Sequence, residues 1–168
     1  MNNPFFDSRM NTFDVSGAIQ NVDQGRLKDT FDKLALNGVN HKIRSFFIRD
    51  IIYLLGKEDM VRDNCSNALF AFPVDTWVRT VLSTINFNRR LTCDARRADY
   101  GTIQKDDFKL ASAAIQACYD QQVSPIKLNM GIWYFSSQCV GDMRRLKRVL
   151  RNGDDAVIQE ASPFDDLF

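Results

Sequence analysis

Apolar residues recur at steps of three and four along most of this chain, and no segment alternates apolar with polar long enough to demand a sheet. The sequence therefore predicts an all-α fold, helix packed on helix. Leu27, Phe31 and Leu34 form one helical face after Asp23, and Asn37-Gly38 stops it. A second helix over His41 to Leu55 carries Ile43, Phe46, Phe47, Ile51, Leu54 and Leu55, apolar enough to be buried on much of its circumference, and Gly56 closes it. Asp75 stands as an N-cap before Val78, Val81, Leu82 and Ile85. Asp106-Asp107 opens a helix through Phe108, Ala111, Ile115, Cys118 and Tyr119. Ser124-Pro125 opens the next, and Asp142 a last one holding Met143, Leu146, Val149 and Leu150. Residues 1–168 are expected to form one domain: an irregular N-terminus at 1–22, a two-helix unit at 23–55, C-terminal helices at 75–152 and an acidic tail at 153–168. Lys57 to Asn67 reads as polar and loop-containing, and Asn86 to Thr102 as a solvated, basic connection with Arg89, Arg90, Arg96 and Arg97.

Composition narrows the function classes. With 22 Lys and Arg against 21 Asp and Glu the net charge is +1, so any nucleic-acid surface must be a local patch. No apolar run is long enough to cross a bilayer, and Met1 to Val15 lacks the basic start and apolar middle of a signal peptide. Cys65, Cys93, Cys118 and Cys139 are widely spaced and there is a single histidine, His41, which excludes the usual zinc and iron–sulfur ligand patterns. No metal and no cofactor is expected. The four thiols read as reduced, small buried hydrophobes.

Leu36-Asn37-Gly38-Val39-Asn40-His41-Lys42 joins two helices by a turn of a few residues, with Gly38 where a left-handed backbone belongs. Such a turn points amide N–H groups outward, and with the positive end of the second helix behind them Gly38, Val39, Asn40 and His41 would hold a DNA phosphate backbone. The same residues also suit an ordinary αα-hairpin with a glycine C-cap. Lys42 opens a helix whose next residues include Ile43, Phe46 and Phe47. A lysine in apolar surroundings is disfavoured as an ammonium and its neutral amine is a nucleophile, whereas a surface lysine at a helix start simply meets solvent. Asp75, in Pro73-Val74-Asp75-Thr76-Trp77-Val78-Arg79, is either a capping aspartate or a carboxylate aimed into a cleft. In a cleft it would stabilise the sugar cation that develops as an N-glycosidic bond breaks, while the lysine amine attacks C1′.

Asn37-Gly38-Val39-Asn40-His41-Lys42 followed by Pro73-Val74-Asp75-Thr76-Trp77-Val78-Arg79 resembles the helix-hairpin-helix and Pro-Val-Asp-x-x-Val signature of the HhH-GPD DNA glycosylases, the superfamily of endonuclease III. The separation between Lys42 and Asp75 is longer than in endonuclease III and similar to that in the archaeal GO glycosylases, which remove 8-oxoguanine. The resemblance implies the helix-hairpin-helix DNA glycosylase fold. In it Lys42 would be the Schiff-base lysine, Asp75 the essential aspartate and Gly38 with its neighbours the phosphate-binding hairpin. The implied activity is base-excision repair by a bifunctional enzyme. A hydrolase step removes the damaged base, and a lyase step, β-elimination at the abasic site, nicks the strand on the 3′ side.

Further along, Lys127 to Phe135 resembles the late helix on which 8-oxoguanine glycosylases place a polar base reader and, four positions on, an aromatic. Asn129 and Trp133 occupy those places and, at i and i+4, would share a face, Trp133 stacking on an extruded purine. Asn129 departs from the acid that the archaeal GO glycosylases carry there, and Trp133 equally suits a core aromatic. The likeness covers about Leu27 to Arg151, with few residues ahead of it, so N-terminal barrel helices of the family are expected to be missing. Two other functions fit the same residues: a non-catalytic helix-hairpin-helix DNA-binding module or inactive fragment of such an enzyme, and a small helical protein with no nucleic-acid role.

The expected partner is double-stranded DNA containing a damaged base or an abasic site, the expected state a monomer, and the expected location the cytoplasm, at the nucleoid in a prokaryote. Arg144, Arg145, Lys147, Arg148 and Arg151 would add affinity for DNA if they face it, and otherwise form solvated helix surface. The ending Asp166-Leu167-Phe168 resembles peptides that dock on bacterial sliding clamps, although a frayed acidic tail is the commoner role of such an ending.

Overall fold

The computed structural model describes residues 6–7, 12–36, 38–62, 64–85 and 95–152, with backbone alone at 6–7 and 12–13. The fold is almost wholly helical, as the apolar periodicity requires. Two two-residue strands, β1 (Phe6–Asp7) and β2 (Thr12–Phe13), pair antiparallel with Phe6 opposite Phe13. Nine α-helices follow among the described residues: α1 (Val15–Asp23), α2 (Leu27–Lys33), α3 (His41–Leu54), α4 (Asp59–Arg62), α5 (Cys65–Phe70), α6 (Thr76–Ile85), α7 (Lys105–Asp120), α8 (Pro125–Tyr134) and α9 (Met143–Asn152). None is long and apolar enough to cross a membrane.

Most helix starts are fixed by local hydrogen bonds. The side chains of Asp14, Asn40, Asn64, Asp75, Ser124 and Asp142 each accept an N–H from the residue three further on, which satisfies an otherwise orphan donor of the first turn. Pro125 occupies the first position of α8, where its missing N–H has no consequence. After Tyr134 the chain widens into one π-helical stretch, Phe135–Val140, which Gly141 closes in a left-handed conformation.

The structure corrects or refines several expectations. The stretch 1–22 is not uniformly irregular: Asp14 caps α1, whose Ala18 and Val22 are fully buried against α2 and α3. This helix is short, contains Gly17 and Asn21, and holds together through that burial more than through propensity. Helix α2 begins at Leu27, since Asp23 is the last residue of α1. Lys57 to Asn67 contains α4 and the start of α5, and Asn86 to Thr102 includes a 3₁₀ turn, Arg97–Tyr100, that buries Tyr100. Helix α3 buries Ser45, Ile48, Arg49, Ile51 and Ile52, while Ile43, Leu54 and Leu55 face solvent, Leu54 being 79% exposed. Arg89, Arg90, the acidic tail and Asp166-Leu167-Phe168 lie outside the described residues.

The main core gathers Phe31, Ile48, Ile52, Phe72, Val78, Leu82, Ile115 and Ile126 from α2 through α8. Phe31, Phe70, Tyr100 and Phe108 stack in series at centroid spacings of 5.1, 4.5 and 5.8 Å. The Tyr100 hydroxyl donates to the Ser66 carbonyl oxygen at 3.1 Å, and burial pushes that phenol up to about 12. A smaller cluster of Val81, Val140, Leu146 and Val149 seats α9 on α6 and the π-helical stretch. Cys118 is a buried free thiol pushed up to about 11 by burial, and Cys139 is also free. Cys65 is disulfide-bonded, which corrects the expectation of four reduced thiols.

Candidate active site

The turn between α2 and α3 needs a residue with positive φ, and Gly38 supplies it at +83°. The Val39 N–H donates to the Leu36 carbonyl at 3.0 Å, and the Asn40 carboxamide accepts the Ile43 N–H at 3.1 Å. Arg44 reaches back from α3, its Nε donating to the Val39 carbonyl at 3.1 Å and its guanidinium lying 5.2 Å from the centre of the Phe31 ring. The turn is thus fastened to both helices. Of the four residues expected to offer backbone amides to a phosphate, Gly38, Val39, Asn40 and His41, Val39 departs from that expectation because its N–H is turned inward. Asn37 lies outside the described residues.

Lys42 is the second residue of α3 and is half-buried. Ser45, Arg49 and Ile52 follow it at i+3, i+7 and i+10, and all three are buried, so Lys42 stands at the head of the inward face of its helix. Asp75 precedes α6, where its Oδ1 accepts the Val78 N–H at 2.8 Å. The capping role is therefore present. Among the described residues no ion pair joins Lys42 to Asp75.

Asp75 stands beside a polar pair at the starts of α6 and α7. Arg79, one turn into α6, feels the charge of Asp75 and forms a two-point ion pair with Asp107 in the first turn of α7, at 2.6 and 2.7 Å. Asp107 is 4% exposed and Arg79 47%. The hydrogen bond to Asp107, opposed by desolvation, raises the Arg79 pKa further above its ordinary value. His41 sits at the head of α3 with both ring nitrogens buried and without a hydrogen-bond partner. Desolvation lowers its pKa; Asp107 acts in the other direction, and Arg44, Lys42 and Arg79 add to the lowering. The first turns of α6 and α7 are thus joined through Arg79 and Asp107, and His41 at the head of α3 feels the charge of both.

The two residues expected to read a base do not act as a pair here. Asn129 is 0% exposed. Its Oδ1 accepts from Arg49 Nη1 at 2.8 Å and its Nδ2 donates to the Pro73 carbonyl at 2.9 Å, so its amide is engaged at both ends inside the core. Trp133, one turn on, is half-buried and packs against the edge of the main core. The expectation of a shared base-facing surface is corrected: the helix rotation that leaves Trp133 at the periphery puts Asn129 inside.

Arg49, Arg79 and Asp107 were not among the expected site residues. Arg79 lay in the quoted motif, and Asp107 read only as a helix-start acid. Arg49 gave one signal: an arginine among apolar neighbours, seven residues after Lys42 on the same face. It is 5% exposed, bonds Asp50 through Nε and Nη2 at 2.8 and 2.6 Å, and lies over the Phe46 ring at 4.7 Å. A cavity of about 640 Å³ lined by Arg62, Cys118, Tyr119, Gln122 and Val123 lies at the other end of α7, roughly 16 Å along the helix from Asp107. No family model matches the chain, and no curated protein or solved structure matches it either.

Proposed function

We propose that this chain is a helix-hairpin-helix DNA glycosylase with abasic-site lyase activity, acting on an oxidised purine, 8-oxoguanine first. What supports the reading is the placing of the two motif residues: Lys42 heads the inward face of α3 after a left-handed glycine turn, and Asp75 caps α6 one turn before Arg79, with the charges of Lys42 and Arg79 both acting on His41. The N-terminal ends of α3 and α6 carry the proposed nucleophile and its carboxylate partner.

In this reading the Lys42 amine forms a bond to C1′ as the glycosidic C1′–N bond breaks. The base leaves with the bonding electron pair and takes up a proton. Asp75 offsets the positive charge that develops on the sugar. The amine loses a proton, the C1′–O4′ bond opens with O4′ protonated, and a Schiff base results. Removal of a C2′ proton then expels the 3′ phosphate, and water releases Lys42.

Borohydride reduces such a Schiff base to a stable protein–DNA adduct. The expected result is trapping of the wild-type chain on duplex bearing an abasic site or 8-oxoguanine, and none with Lys42→Ala. Equal trapping by that variant would reject the lysine, and no trapping by the wild type would reject the enzyme. The burial of Asn129 favours a second reading, a DNA-binding module without a base reader. Salt-sensitive duplex binding with no cleavage product identifies it.

A further inference from the structure

We infer that Arg49 and Asn129 form a clamp that fixes the backbone delivering Asp75 against the helix delivering Lys42, so that Asn129 is a positioning residue for base excision. This rests on the reading of Lys42 and Asp75 given above. Arg49 lies two turns below Lys42 on the same inward face of α3, roughly 10 Å along its axis. Its guanidinium divides between Asp50 on its own helix and Asn129 on α8. The other end of the Asn129 amide holds the carbonyl of Pro73, two residues before Asp75. Pro73 has no N–H, and its ring restricts the local backbone, so holding this one carbonyl leaves little freedom to the short path from Pro73 to the Asp75 cap.

The three groups span three separate parts of the chain and are closed from water, which makes the geometry stiff. Arg49 and Asn129 are both almost fully buried, and Phe72, Val74 and Pro73 around the clamped carbonyl are buried as well. An amide is the side chain that suits this place. It accepts from the arginine with one atom and donates to the carbonyl with the other, which neither a carboxylate nor a hydrocarbon of that size can do.

The chemistry separates this role from a general structural one. Asp75 is required where a sugar cation develops, during cleavage of the base. No such cation forms when Lys42 attacks the aldehyde of an abasic site that already exists. A clamp acting through Asp75 therefore affects excision much more than adduct formation at a preformed abasic site.

The test uses the full chain with Asn129→Asp, which keeps the acceptor for Arg49 and removes the donor to Pro73, and Arg49→Lys, which keeps a charge beside Asp50 and drops the branch to Asn129. Single-turnover excision of 8-oxoguanine is expected to fall roughly 10- to 100-fold, as for a catalytic group displaced by about 1 Å, while borohydride trapping on a preformed abasic duplex stays within about twofold of wild type. Hydrogen exchange of the Val78 amide, which Asp75 caps, is expected to quicken while the α7 core amides keep wild-type protection.

Unchanged excision together with unchanged Val78 exchange overturns the clamp. So does a parallel loss of excision, trapping and global stability. A shift in the ratio of damaged bases removed, at an unchanged 8-oxoguanine rate, returns Asn129 to base reading. A wild-type chain that traps no abasic DNA sinks the enzyme reading, and the Val78 exchange then decides the clamp by itself.

Discussion

Arg79 and Asp107 face each other through two parallel hydrogen bonds, Nε to Oδ1 and Nη2 to Oδ2, which tie the first turn of α6 to the first turn of α7. The carboxylate is buried and the guanidinium half-exposed, so the pair shields Asp107 from one side only. Arg79→Gln leaves a buried carboxylate with weaker donors. The expected loss is about 2 kcal/mol, less than for a fully enclosed pair because water reaches the arginine side. Urea denaturation of wild type and variant measures it; a loss within error of zero would show that water replaces the arginine without penalty.

His41 gives the fold a pH dependence of known sign. Its folded pKa is lowered from 6.5, first by desolvation, with Asp107 opposing and Arg44, Lys42 and Arg79 reinforcing. Above 6.5 the ring is neutral in both states and its contribution is complete. As pH falls below that value the unfolded chain takes up a proton first, and stability declines until the folded ring is protonated too. Denaturation midpoints measured between about pH 5 and pH 7.5 should therefore drop toward acid, and less steeply in His41→Gln. Parallel profiles for the two proteins would assign the acid sensitivity to the carboxylates instead.

Gly38 is held at φ +83°, and a Cβ placed there meets nothing within 4 Å. Gly38→Ala therefore incurs only the backbone penalty of the left-handed region, about 1 kcal/mol. A Gly38→Ala chain as stable as wild type would mean that the turn relaxes to another conformation, and duplex affinity should then fall with it.

Helix α9 separates its two faces cleanly. Leu146 and Val149 are buried against Val81 and Val140, whereas Arg144, Lys147, Arg148 and Arg151 are exposed. Leu146→Ala is expected to cost about 3 kcal/mol through the cavity it leaves. Arg148→Gln should leave stability unchanged. If α9 contacts a DNA backbone, each neutralised contact lowers the slope of log affinity against log salt by about 0.9. Identical slopes for wild type and a variant lacking all four cations would remove α9 from the DNA surface.

The residues alone determined where most helices begin. Asn40, Asp75, Ser124 and Asp142 each cap a helix by a bond to the residue three positions on, and Gly38 takes the conformation its turn requires. These outcomes are settled within four or five residues of chain, so reading the chain locally is enough to find them. Local reading failed where a helix depends on distant support, as in α1, or where an apolar residue has no partner to cover it, as with Ile43 and Leu54.

Tertiary structure decided what the polar side chains do. Arg49 and Asn129 are 80 residues apart in sequence, Asn129 and Pro73 are 56 apart, and Arg79 and Asp107 are 28 apart. Nothing in the immediate neighbourhood of Asn129 distinguishes an amide that faces a ligand from one closed inside the core. The difference lies in the rotation of α8 about its axis, which is set by the packing of Ile126 and its neighbours in the main core. Burial then obliges the amide to find partners, because an unpaired polar group inside costs more than the bonds it makes in water.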